Sequence, residues 1–302
     1  MKFKAILLIC TFFLTSGLLK AQVVSEFEKG KIIPSVVCLD DKEQSYALYL
    51  PSNYDVSKKW PIIIGFSNAA RGIDPVTLCS EAAEKFGFIA IGSNNTRNGS
   101  TEVIMKAYHA IKKEMEKRFS IDPQRVYSIG LSGGSGVALQ LAIIEPDLFR
   151  GIIACAAFVQ PNFNYKDKNI FIYGIVGDKD FNYPEFKNGG SLLEKTKTPY
   201  WVEVFQGNHE WPPKKQIFEA IEMFDYLHQK KGEDKGKIQA DKIIKTRMAH
   251  LEQLMRDKSW EHASFAVDNL LRNFEDSTYI DRLNITRKKI DANLKSLESK
   301  NK

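Results

Sequence analysis

Short apolar runs alternate with longer stretches in which apolar residues recur every three or four positions through the middle of the chain. IIIGF, FIAIGS and GIIACAA are apolar throughout, without the alternation of a half-exposed strand. Strands covered on both faces read this way. The pattern predicts strands at 35–39, 46–50, 61–66, 88–93, 125–131, 151–157, 169–176 and 200–206. Between them lie helical patterns, such as 102–119, where Val103, Ala107, Ile111 and Met115 are spaced by four. Strand, helix, strand repeated in this manner predicts an α/β fold: a mostly parallel central sheet with helices on both faces.

The pattern changes after residue 230. KKGEDKGK has charge and glycine but no apolar periodicity, and it reads as a linker. Three amphipathic patterns follow: Ile244, Met248, Leu251 and Met255; Ala263, Ala266, Leu270 and Phe274; then Ile280, Leu283, Ile290, Leu294 and Leu297. A structural cap or self-association element is expected of them, ahead of peptide binding, because SWEHASFAVDNLLRNFEDS faintly resembles a tetratricopeptide helix pair without a second copy. At the other end, Lys2 and Lys4 precede an apolar run that stops at a small residue, Ala21. That is the layout of a secretory signal, too short and too interrupted for a spanning helix. The expected division is a signal over 1–21, a catalytic domain over 22–230 and a helical extension over 231–302, in a secreted or periplasmic protein without stable membrane insertion.

The formal net charge of +6 raises the question of an anionic partner. Its location answers it: residues 22–230 carry 24 basic and 25 acidic side chains, so the catalytic body is neutral and no nucleic-acid footprint is present. Outside the signal three cysteines remain, Cys38, Cys79 and Cys155, with no C-x-x-C spacing. Neither a zinc site nor a disulfide framework is indicated; Cys155 reads as a buried strand residue, and a Cys38–Cys79 bridge is the remaining alternative.

Chemistry enters at GLSGGSG. A linker does not fit, because VYSIGL before it is a strand and VALQLAII after it a helix. A Walker loop needs a lysine that is absent, and the dinucleotide pattern fails because Gly134 and Gly136 are followed three residues later by Leu139. G-x-S-x-G does fit, as Gly130, Leu131, Ser132, Gly133 and Gly134. A strand that turns sharply into a helix exposes the central hydroxyl, glycines relieve the crowding on either side, and the helix N-terminus faces a developing oxyanion.

A serine hydroxyl needs a base, and the base an orienting acid. His109, His228, His250 and His262 fall in helical patterns, whereas His209 lies in the loop QGNHEWPP. The loop after the preceding strand, IVGDKDFNYPEF, supplies Asp178 and Asp180. Asp180 is preferred, since its spacing from Gly177 carries it past the strand end; Asp178 then shapes the turn. The order Ser, Asp, His is that of α/β-hydrolases.

IDPQRVYSIGLSGGSG, IVGDKDFNYPEF and QGNHEWPP together resemble the α/β-hydrolase superfamily, and within it the secreted esterases related to polyhydroxybutyrate depolymerases and feruloyl or acetylxylan esterases. The resemblance spans roughly residues 45–228. It implies an α/β-hydrolase fold with Ser132 as nucleophile, Asp180 as orienting acid and His209 as general base and acid. Where many of these enzymes carry His-Gly after the third strand, this chain has Ser67 and Asn68. Asn68, by backbone or side chain, and the Gly133 N–H are therefore the expected oxyanion donors.

The expected reaction is two-step acyl transfer from an ester, with no metal or organic cofactor, since H-E-x-x-H and Cys/His clusters are absent. Only 158–168 separates the sixth strand from the next, too short for a lid, so an open cleft is expected, suited to an ester on a polysaccharide or another small-molecule ester. Trp211, Phe181 and Tyr183 are expected to contact the substrate, with Phe158 and Phe163 as further lining candidates. A peptidase of the same fold, and an idle scaffold with a partner-binding tail, are the competing readings.

Overall fold

The computed structural model of the chain describes residues 27–159, 164–166, 168–230 and 233–300. The proposed signal, with Cys10, lies outside the described residues, as does Phe163. All eight predicted strands are present, with ends shifted by a few residues: β1 (Ile32–Val37), β2 (Ser45–Tyr49), β3 (Trp60–Phe66), β4 (Ile89–Ser93), β5 (Ile121–Leu131), β6 (Phe149–Cys155), β7 (Phe171–Gly177) and β8 (Tyr200–Phe205). They form one sheet in the order β1-β2-β4-β3-β5-β6-β7-β8. β3 pairs in parallel with β4 and β5, and β7 with β8, while β2 runs antiparallel to β1 and β4. Eight helices complete the described chain: α1 (Ile73–Phe86), α2 (Thr101–Arg118), α3 (Gly133–Ile144), α4 (Tyr183–Lys195), α5 (Lys214–Gln229), α6 (Glu233–Arg256), α7 (Trp260–Asn273) and α8 (Ile280–Lys300). Among the described residues no helix is long and apolar enough to cross a membrane.

Contacts divide the chain into two compact units, Met1–Ile152 and Ile153–Lys302. In the first, every residue of β3 is buried, as its unbroken apolar run requires. α2 is held to the sheet through charge: the Glu114 carboxylate accepts from Tyr46 Oη at 3.0 Å and Leu39 N at 2.6 Å, and Arg118 Nε lies 3.0 Å from it. Cys38 and Cys79 are buried free thiols, which removes the bridge considered above. Burial pushes both thiols up, Cys38 to about 12, so neither is a reactive thiolate. Cys155 is a buried residue of β6, as read.

In the second unit α6 and α7 pack onto β8, and α8 packs onto α7. The KKGEDKGK linker reading needs correction from residue 233 onward, because α6 already begins at Glu233. A glycine costs a helix only about 1 kcal/mol, and the apolar stripe that follows, with Ile243, Ile244, Met248 and Leu251 buried, outweighs it. β8 is the last strand in the order and would present free backbone groups along its outer edge. α7 supplies their partners. Asn269 Oδ1 accepts from Val202 N at 3.0 Å, its Nδ2 donates to Val202 O at 2.6 Å, and Asn273 Nδ2 donates to Tyr200 O at 3.1 Å. The helix thus does for β8 what a ninth strand would.

α6 is anchored by Arg247, which is only 4% exposed. Its guanidinium contacts Glu219, lies 3.7 Å from Glu203, and sits over the Trp201 ring at 5.5 Å. Beside it, Trp201, Glu203, Arg247, His250, His262 and Asn269 border a cavity of about 20 Å³, room for one water.

Two outcomes are expected. Asn269→Leu leaves the Val202 N–H and C=O without partners, at about 1–3 kcal/mol per orphaned group; a urea midpoint equal to that of the unaltered chain would show that the edge needs no cap. The second concerns pH. Burial depresses His250 and His262 below their ordinary 6.5. Glu203 faces His250 and opposes this, while Lys215, Arg247 and His262 add to it; Asp178 and Glu261 oppose it at His262, and Lys187 adds to it. The unfolded chain therefore binds these protons first, so the contribution is intact above pH 6.5 and stability falls as pH drops below it. Denaturation midpoints between pH 7.5 and 5 should show that loss, and a His250→Asn, His262→Asn double variant should flatten it; an unchanged slope would assign the acid sensitivity elsewhere.

Candidate active site

The nucleophile candidate sits where β5 turns into α3. Ser132 has φ 54° and ψ −117°, a conformation that costs a non-glycine residue about 1–3 kcal/mol. Gly133 starts the helix, and the Ser132 carbonyl accepts the Gly136 N–H at 3.1 Å. The flanking glycines are required by backbone packing. A Cβ on Gly130 would overlap the Gly134 carbonyl and the Ser135 amide, and one on Gly134 would overlap the Phe66 carbonyl. Strand, turn and the end of β3 touch main chain to main chain.

Past Phe66 the loop carries Ser67 and Asn68. Ser67 is 1% exposed; its Oγ accepts the Ala69 N–H at 3.3 Å and its carbonyl the Ala70 N–H at 3.3 Å. Asn68 N lies 3.5 Å from the position a Gly134 Cβ would take, which places this amide beside the nucleophile turn. Among the described residues the Asn68 N–H has no acceptor, whereas its carbonyl accepts the Asn98 N–H at 3.1 Å. The Gly133 N–H is free by position, since the first amides of a helix have no intrahelical partner. Asn68 and Gly133 thus each bring a backbone N–H to the turn that carries Ser132. The Asn98 carboxamide lies against Gly133. Nothing in NNTRNGS foreshadows this, because the contact is created by the long-range bridge between Ala69 and Arg97.

The candidate acids and the candidate base, His209, lie in the second unit, after β7 and β8. Their loops are joined at Gly177, where a Cβ would strike the carbonyls of Gly207 and Asn208. Asp178 Oδ1 accepts the Gly207 N–H at 3.1 Å, so Asp178 holds the turn before the histidine. Asp180 is 4% exposed and carries the other role: its Oδ1 and Oδ2 lie 2.9 and 3.1 Å from His209 Nδ1. The Asn182 N–H fixes Oδ1 from the far side at 2.8 Å. A carboxylate only accepts, so His209 Nδ1 carries the proton and donates it, leaving the Nε2 lone pair free to act as a base. The His209 side chain is 23% exposed, open enough to reach a substrate.

The aromatic candidates separate. Phe181 stacks on the His209 ring, centroids 4.2 Å apart and planes 25° apart, and is itself 73% exposed. Trp211 is half-buried. Tyr183 turns to the C-terminal helices, with its ring 6.3 Å from Phe265 and its hydroxyl 3.4 Å from Glu261. Phe158 is not a lining residue: fully buried, it stacks on Phe186 at 4.9 Å in space left by Gly174 and Gly189. Among the described residues no cluster of three or more His, Cys, Asp or Glu has the arrangement of a metal site.

The glycine contacts predict that Gly134→Ala, which drives a methyl into the Phe66 carbonyl, lowers stability by about 1–3 kcal/mol as overpacking does. A thermal melt checks this, and a midpoint within a degree of the unaltered chain would contradict the packing described.

No protein-family model matches the chain, and none of the curated proteins does. Solved structures do resemble it. S-formylglutathione hydrolase (FrmB) from Staphylococcus aureus superposes with a TM-score of 0.52 at 12% identity, over 66% of this chain and 98% of that one. A ferulic acid esterase gives 0.52 at 15% identity, over 65% and 98%, and an esterase from Pyrobaculum calidifontis 0.55 at 10%, over 72% and 92%. With the strand order and the turn at Ser132, this likeness establishes that the chain has the α/β-hydrolase fold.

Proposed function

We propose that the protein is a serine esterase that cleaves carboxylic esters through Ser132, His209 and Asp180. Nε2 of His209 takes the Ser132 proton as Oγ attacks the ester carbonyl, and the oxyanion is met by the N–H groups of Asn68 and Gly133. As the tetrahedral intermediate collapses, the carbon–oxygen bond to the alcohol breaks and His209 passes its proton to the leaving oxygen. Water, deprotonated by the same imidazole, then attacks the acyl-serine, releases the carboxylic acid and restores Ser132. Asp180 holds the imidazole in the required tautomer throughout.

The observation that carries this reading is the buried carboxylate of Asp180 on His209 Nδ1. A loop histidine without chemistry has no need of a dedicated, desolvated acceptor. The strained Ser132 supports it independently, since such conformations persist where the surroundings impose them for function. The substrate we propose is an acyl or feruloyl ester on a polysaccharide, met by a protein exported through its N-terminal signal; the esterases among its structural neighbours agree with ester cleavage.

The test is labelling with a fluorophosphonate together with hydrolysis of nitrophenyl acetate, methyl ferulate and an aminoacyl anilide. Ser132→Ala should abolish the label and lower kcat at least about 10³-fold, and Asp180→Asn should lower it roughly 10³–10⁴-fold. An unlabelled wild-type protein, with Ser132→Ala indistinguishable from it on every ester, would favour the idle scaffold; preference for the anilide would favour the peptidase.

A further inference from the structure

We infer that Phe181 is the platform for the alcohol half of the substrate, and that this half carries a ring with an apolar face, a pyranose or an aryl group. The inference rests on His209 being the general acid.

Phe181 directly follows Asp180, yet the two side chains part company: Asp180 is 4% exposed and Phe181 73%. One face of the phenyl ring lies on the imidazole at 4.2 Å, nearly parallel to it. The remaining surface is open. Holding the imidazole requires one face only, and Asp180 already fixes that ring through Nδ1. An open aromatic surface beside a catalytic histidine is therefore available for contact with a ligand.

Which part of the ligand follows from the chemistry. The proton His209 removes from Ser132 must be given to the leaving alcohol oxygen, which has to come within about 3 Å of Nε2. With Nδ1 on Asp180, Nε2 is at the opposite end of an imidazole whose face is covered by Phe181. The leaving oxygen is then about 6 Å from the phenyl centroid, by the stacking distance and that hydrogen-bond reach. The carbon framework attached to that oxygen spans the gap in one or two bonds. On the proposed mechanism the acyl half stays bonded to Ser132 when the alcohol leaves. Phe181 is thereby assigned to the departing alcohol, the half that takes the proton from Nε2. A flat ring, or the C–H face of a sugar, matches its surface better than a short alkyl chain.

The experiment compares kcat/KM for four esters on the full chain by following acid release: ethyl acetate, 2-phenylethyl acetate, an acetylated methyl xyloside and ethyl butyrate. Ethanol and 2-phenylethanol are similarly poor leaving groups, so the difference between their acetates reports binding; the sugar hydroxyl is a better leaving group, so the xyloside is read through the change of its ratio between the wild-type protein and the variants. The wild-type protein is expected to favour one or both ring-bearing acetates over ethyl acetate, and which one identifies the ring as aryl or sugar. In Phe181→Leu that preference ratio should fall about tenfold, while the ratio of ethyl acetate to ethyl butyrate stays put; Phe181→Trp should restore the preference. Ratios cancel any shared effect on His209. An unchanged alcohol ratio in Phe181→Leu, with all four rates falling together, would reduce Phe181 to a positioning residue and overturn the inference while leaving the esterase reading intact. Failure of the wild-type protein to hydrolyse any of the four would overturn both.

Discussion

At Ser132 the chain passes from a buried strand to a helix within one residue, and the main chain has no spare room there. Gly130 lies against Gly134 and Gly134 against the carbonyl of Phe66, so β5, α3 and the end of β3 are packed without side chains between them. That contact is what a positive φ at a serine secures. It brings the α3 N-terminus and the Asn68 amide to the same point, and through Asn68 it draws in the loop ending at Asn98. Backbone donors placed this way cannot be lost by side-chain rotation. The Ser67 side chain and carbonyl hold the path of that loop by accepting the Ala69 and Ala70 N–H groups.

Asp180 and His209 are brought together by a similar close approach. Gly177 lets the loop before His209 come within contact of the end of β7, Asp178 pins it, and Asp180 is left to orient the imidazole. The C-terminal helices bear on the same region. α7 satisfies the outer edge of β8 with Asn269 and Asn273, and its Glu261 and Phe265 meet Tyr183 and Lys187 on α4, just beyond Asp180. The same helix thus caps the edge of β8 and braces the segment that follows Asp180.

Much of this was readable beforehand, for a physical reason. Strands buried on both faces must be apolar without interruption, so IIIGF or GIIACAA could hardly be anything else, and the glycine pattern around Ser132 records main-chain contacts that no other residue permits. What escaped reading was set by distant partners. KKGEDKGK looked like a linker because its helix is held by apolar residues further along α6. Phe158 looked available because the glycines that receive it, Gly174 and Gly189, are 16 and 31 positions away. Tyr183 sits beside the acid but is claimed by α7, and Asn98 meets Gly133 only because two loops bridge.

The proposed mechanism requires a covalent acyl intermediate on Ser132. Rapid acid quenching during turnover of nitrophenyl acetate, followed by peptide mass mapping, tests it most directly. An acetyl group is expected on the peptide that contains Ser132 and is expected to be absent from Ser132→Ala. Turnover with no acetylated peptide under conditions where deacylation is slow, or with the acetyl group on another residue, would contradict it.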